Sequence, residues 1–96
     1  MKVTIVKSSE KELKLDVQDA NRALLHLLQK ILLRNGGVEV AGYDFTHPLL
    51  KSAVLYIKTK GSETPLKALD EAAKELIEEA KDFEKLFLNA LKEYRS

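Results

Sequence analysis

Apolar and polar residues alternate twice near the start of the chain. Residues 2–7 set Val3 and Ile5 among polar neighbours, and residues 12–17 set Leu13, Leu15 and Val17 against Glu12, Lys14 and Asp16. A period of two predicts half-buried strands, joined here by the polar turn "SSEK". From Asp19, the expected N-cap, the period lengthens to that of a helix. This helix ends near Asn35, where "NGG" supplies residues that stop helices and tolerate positive φ. Residues 38–46 alternate again, but the phase slips from Val38 and Val40 to Ala41, Tyr43 and Phe45, which predicts a bulge near Gly42. His47 and Pro48 are expected to turn the chain, because proline lacks an N–H and holds the residue before it extended. Residues 53–60 form a fourth strand with Ala53, Leu55 and Ile57 on one face. "GSETP" then opens a second helix, with Thr64 as N-cap and Pro65 at its first position.

The order ββαββα predicts a single α+β domain over residues 1–96. It has two layers: a four-stranded, mostly antiparallel sheet with both helices on one face. The helices bear more apolar surface than that packing uses. In the first, Ala20, Leu24, Leu25, Leu27, Leu28, Ile31 and Leu32 fill an arc of roughly 160°, wider than the stripe of about 100° that suffices. In the second, a narrower stripe from Leu69 to Tyr94 widens to roughly 200° once Leu86 and Leu88 flank Phe83, Phe87, Leu91 and Tyr94. Residues 65–95 as one helix span ~46 Å, against ~20–23 Å for the strands. About half of the helix must project past its sheet, and that half is the greasier one. Leu24, Leu25, Leu27, Leu28, Ile31 and Leu32, with Phe83, Leu86, Phe87, Leu88, Leu91 and Tyr94, are therefore expected to form an interface with another polypeptide. Patterning alone leaves open whether that polypeptide is a second copy or a different chain.

Composition narrows the function by exclusion. Sixteen basic and fifteen acidic residues give a net charge of +1, which offers no footprint for nucleic acid or acidic membranes. With no cysteine, disulfides, zinc ribbons and thiol nucleophiles are excluded. The longest unbroken apolar run is residues 53–57, far short of the ~20 needed to span a bilayer, and the start lacks a signal-peptide core. The reading is a cytoplasmic protein without membrane contact. His26 lies on the polar side of its helix and His47 in a turn, with no carboxylate spacing to make a metal site. Gly36 and Gly37 follow a helix instead of preceding one, so no phosphate loop is present. Neither a catalytic set nor a cofactor site is expected.

The element order, the stretch "YDFTHPLLKSAVLYIKTKGSETPLKALDEA" and the long closing helix resemble the archaeal DNA-directed RNA polymerase subunit L family. That family is related to a small eukaryotic polymerase subunit and to the dimerisation domain of the bacterial alpha subunit. The most specific parts are "HPL" at residues 47–49, "YIKTKG" at 56–61 and the Thr-Pro start of the last helix. The segment "QDANRALL" departs from the family, which usually opens its first helix with Glu-Asp-His-Thr; Ala20 and Asn21 replace the His and Thr. The resemblance implies a non-catalytic subunit of a nucleotidyltransferase. It would pair through both helices with the D-type polymerase subunit. With the small N-type and P-type subunits, that pair would form the platform for the large subunits, meeting DNA only through the complex. Two other readings fit less well. A homodimeric enzyme similar to the pterin dehydratases needs clustered histidines, and a small nucleic-acid-binding protein needs a basic face with stacking aromatics.

Overall fold

The computed structural model describes residues 1–47, Leu49 and residues 51–95. Six elements follow the expected order: β1 (Lys2–Ser8), β2 (Glu12–Gln18), α1 (Arg22–Arg34), β3 (Val38–His47), β4 (Ser52–Thr59) and α2 (Pro65–Arg95). The strands form one antiparallel sheet in the order β1-β2-β4-β3. The last strand in the chain therefore sits inside, between β2 and the edge strand β3.

Alternation decides which face of the sheet is covered. Leu13, Leu15 and Val17 of β2 lie opposite Ile57, Leu55 and Ala53 of β4, and all six are buried. Ile31 and Leu32 of α1 and Ala68 and Ala72 of α2 pack on this layer, with Val38 and Ala41 of β3 completing the cluster. A second small cluster joins Val17, Ala20, Leu25 and Ala53, with Tyr43 and Phe45 against it. Both helices thus lie on one face, and Val54, Tyr56 and Lys58 line the other.

The phase slip in β3 has a bulge behind it, but an earlier one than expected. Val38 pairs with Thr59 and Val40 with Lys58, so Glu39 is the extra residue. That insertion lets Val38 and Ala41 both face the core and turns Val40 outward. Gly42 pairs in register with Tyr56; no bulge lies there. A second irregularity falls between Phe45 and His47. Pro48, expected to shape the turn, lies outside the described residues.

The start of α1 also differs from expectation. Asn21, not Asp19, is the N-cap: its Oδ1 accepts from the Leu24 N–H at 3.1 Å. Asp19 instead takes a left-handed turn (φ 54°), and Ala20 is buried in the loop. The chain between β4 and α2 is clamped to the end of α1. Asn35 donates Nδ2–H to Glu63 Oε2 at 3.0 Å and accepts from the Gly37 N–H at 2.9 Å. Glu63 passes so close that a Cβ on Gly37 would lie 2.6 Å from its Cβ, which is why only glycine fits. The buried Thr59 hydroxyl donates to the Glu63 carbonyl at 2.9 Å, and the Thr64 hydroxyl accepts from the Lys67 N–H as α2 begins.

Candidate functional site

Helix α2 runs unbroken from Pro65 to Arg95. At 3.6 residues per turn, positions about five turns apart share one direction. On that basis Pro65, Ala68, Leu69, Ala72, Ala73 and Leu76 return as Phe83, Leu86, Phe87, Ala90, Leu91 and Tyr94. The first set is buried or half-buried, with Ala68, Leu69, Ala72 and Leu76 packed into the main core. The second set points the same way with nothing over it. From residue 80 to residue 95 every residue but the half-buried Leu91 is exposed; Phe83 is 70 %, Leu86 68 % and Phe87 55 % exposed. The Phe83 and Phe87 rings stack on each other with centroids 6.3 Å apart, forming an exposed aromatic ridge. Leu88 stands to the side of this ridge, among Lys85, Lys92 and Arg95.

The structure divides the six expected α1 residues. Leu25, Ile31 and Leu32 are buried in the chain's own core, and Leu27 and Leu28 are half-buried against it. Their side of the wide arc is used by β3 and α2, which both flank α1, so the arc needed less external cover than its width suggested. Leu24 is the one of the six left exposed, and Leu33, which the wheel sets on the polar side, is exposed as well. Arg34 ties α1 to α2 by reaching Glu75 at 3.2 Å and Glu79 at 3.4 Å.

Sequence reasoning missed the edge of the sheet. Val3 and Ile5 of β1 pair with Val17 and Leu15, so they face the helix layer. Neither helix reaches them: they are 55 % and 56 % exposed. Alternation showed their direction, but that the helix layer leaves them more than half exposed emerges only from the packing. Exposed apolar residues of β1, α1 and distal α2 thus share the helix side of the sheet, beyond the area a solitary chain covers.

The polar candidates stay dispersed. His26 Nδ1 lies 3.4 Å from Tyr43 Oη, whereas His47 pairs with Ser52 at the end of β3. Among the described residues no three His, Cys, Asp or Glu side chains are placed to hold a metal ion, and no helix is long and apolar enough to cross a membrane. The titratable groups that do shift brace the fold. The Tyr56 hydroxyl and Lys7 hold the Glu12 carboxyl below its ordinary range, and the same hydrogen bond raises Tyr56. Asn35 and the Thr64 N–H likewise lower Glu63.

The chain is, as a class, a two-layer sheet-and-helix domain with apolar residues exposed on its helix side. The family model for the RNA polymerase Rpb3/Rpb11 dimerisation domain matches residues 12–86, and the chain belongs to that family. It is 33% identical over 87 residues to DNA-directed RNA polymerase subunit Rpo11 of Methanocella arvoryzae, covering 91% of this chain and 94% of that one. It is 36% identical over 92 residues to Rpo11 of Sulfurisphaera tokodaii, covering 88% and 99%. The crystal structure of DNA-directed RNA polymerase subunit L from Thermoplasma acidophilum has the same fold, with a TM-score of 0.80 at 19% identity, over 98% of this chain and 92% of that one.

Proposed function

We propose that this chain is the L-type, or Rpo11, subunit of an archaeal RNA polymerase. It is non-catalytic, works in the cytoplasm, and pairs with the D-type subunit through Leu24, Leu27 and Leu28 of α1 and the distal ridge of α2. The pair, with the N-type and P-type subunits, is the platform on which the large subunits assemble. DNA and nucleotide chemistry belong to the complex, and this chain reaches them only through it.

One observation carries the reading: the face of α2 that is packed on the sheet in its first half recurs, uncovered, in its second half. Covering Phe83, Leu86 and Phe87 would contribute roughly 1.5–3 kcal/mol per side chain, and an exposed patch of this kind marks an interaction surface. The departures at Ala20 and Asn21 do not disturb the module, because Asn21 caps α1 as well as a threonine would.

Affinity capture of the tagged chain from its native source tests the proposal. Wild type should bring down a set of polymerase polypeptides that includes the D-type subunit. The L86E/L88E variant should lose that set while keeping its circular dichroism. A chain that comes down alone, or a variant that captures as well as wild type, would overturn the reading.

A further inference from the structure

The two edges of the sheet are finished differently. At one edge, β3 is interrupted by two irregularities and has α1 packed against it, and Gln29 of that helix donates to the Ala41 carbonyl at 3.0 Å. Bulges and cover of this kind keep other strands from adding to an edge. At the other edge, β1 pairs with β2 alone. Residues 2–5 run in unbroken register with residues 15–18, and the first irregularity comes only at Val6. Alternate residues of such a stretch turn their N–H and C=O groups away from β2, out into solvent.

The side chains of this edge suit an added strand. Val3, Thr4, Ile5 and Val6 are all β-branched, the class that favours strands, and the three apolar ones are more than half exposed. Val3 and Ile5 lie opposite the buried Val17 and Leu15, so a strand laid along β1 would set alternate side chains beside them on the helix side. Charge decides which strand. β1 holds two lysines, Lys2 and Lys7, and no carboxylate. Lys7 is tied to Glu12 of β2 at 3.1 Å, whereas Lys2 has no ion-pair partner among the described residues. A second copy of β1 would bring only more lysines to this edge. Like charges across a strand pair destabilise it and opposite charges stabilise it.

We propose that the free edge of β1 receives an extended segment of a different chain. That segment carries apolar residues at alternate positions, to lie beside Val3 and Ile5, and a carboxylate to meet Lys2. It adds a fifth strand to the sheet. The edge uses none of the residues assigned to the D-type partner, so the inference goes beyond the dimerisation reading.

Amide hydrogen exchange, read residue by residue, tests it on the chain captured with its native companions and on the same chain freed from them. In the free chain the outward amides of residues 2–5 should exchange fast. In the complex they should slow at least about tenfold, while the inward amides, already bonded to β2, change less. A proline at an outward position, Val3→Pro or Thr4→Pro according to the free-chain rates, removes no bond to β2. It should reverse most of the slowing at the remaining outward amide. Should that variant fold poorly, Lys2→Glu reads the charge instead and should cut the protection at least about twofold at low salt. Outward amides equally fast in the complex would overturn the proposal. A slowing that survives the proline, or one that appears in the free chain at high concentration, would do the same, the first pointing to side-chain cover and the second to another copy. The identity of the companions is a separate readout. If they are not polymerase polypeptides and the slowing holds, the proposed function falls and this inference stands; a chain captured with no companion overturns both.

Discussion

The two halves of α2 present the same face to different surroundings. In the proximal half that face holds Ala68, Ala72 and Ala73, and their small side chains let the helix lie close to α1 and the sheet. In the distal half the equivalent directions hold Leu86, Ala90 and Leu91, joined by Phe83, Phe87 and Tyr94. Larger side chains reach further from the helix axis, which suits the external contact proposed for this half. The difference in size, more than in hydrophobicity, separates the half that is folded onto its own body from the half that the proposed partner would cover.

The most severe way to break this comparison is to truncate one side chain on each side of it. Leu32, expected from sequence to meet a partner, is buried in the core; Leu32→Ala should cost the isolated chain about 2–5 kcal/mol in urea unfolding. Phe87→Ala should change that stability by no more than about 0.5 kcal/mol yet weaken partner capture by roughly thirtyfold or more. If Phe87→Ala unfolds the isolated chain as badly as Leu32→Ala, the distal ridge is packed on its own body and the two halves do not differ as described.

That pair of residues also shows how far the sequence could be read. The strands β2 and β4 were legible because both neighbours of each are strands and one face is fully covered, so alternation and burial coincide. The continuous helix from Pro65 was legible because no proline or glycine interrupts it. Leu32 and Leu24 could not be told apart: both lie on the apolar arc, and only the positions of β3 and α2 around α1 decide which is covered. Val3 and Ile5 failed in the opposite sense, since their alternation predicts burial by a layer that does not extend over β1. The cap was ambiguous because "QDAN" offers two good N-cap residues, and the strain-tolerant turn at Asp19 places the second one at the helix start.

A pH series sharpens the comparison, because the shifted groups all brace the body. Glu12 and Glu63 hold fewer protons when folded than when unfolded at the same acid pH. Their contribution is present above the ordinary carboxylate range and is lost as pH falls through their lowered values. Tyr56 is raised by its bond to Glu12, so its contribution is present below the ordinary tyrosine range and is lost as pH rises through its raised value. The urea midpoint of the isolated chain should thus fall at both ends, and Glu12→Gln should flatten both slopes. A midpoint that stays level in acid, or slopes unchanged in Glu12→Gln, would mean that these bonds do not act in solution.

The smallest effect lies at the boundary between the halves. Arg34 forks to Glu75 and Glu79 with all three side chains well exposed to water, so its contribution is at most about 1 kcal/mol and is weakened by salt. It is nonetheless among the last ties between the body and α2 before the helix projects. Removing it should loosen a short stretch and nothing else. In Arg34→Ala, amide hydrogen exchange should quicken around residues 75–80, while residues 65–73, held by Ala68 and Ala72 in the core, keep their protection. The mutant's difference from wild type should vanish in high salt, where the ion pairs are already screened. Faster exchange spread through residues 65–73 would show that the proximal half depends on the ion pairs more than on its packed alanines, and the boundary would have to be drawn nearer the start of the helix.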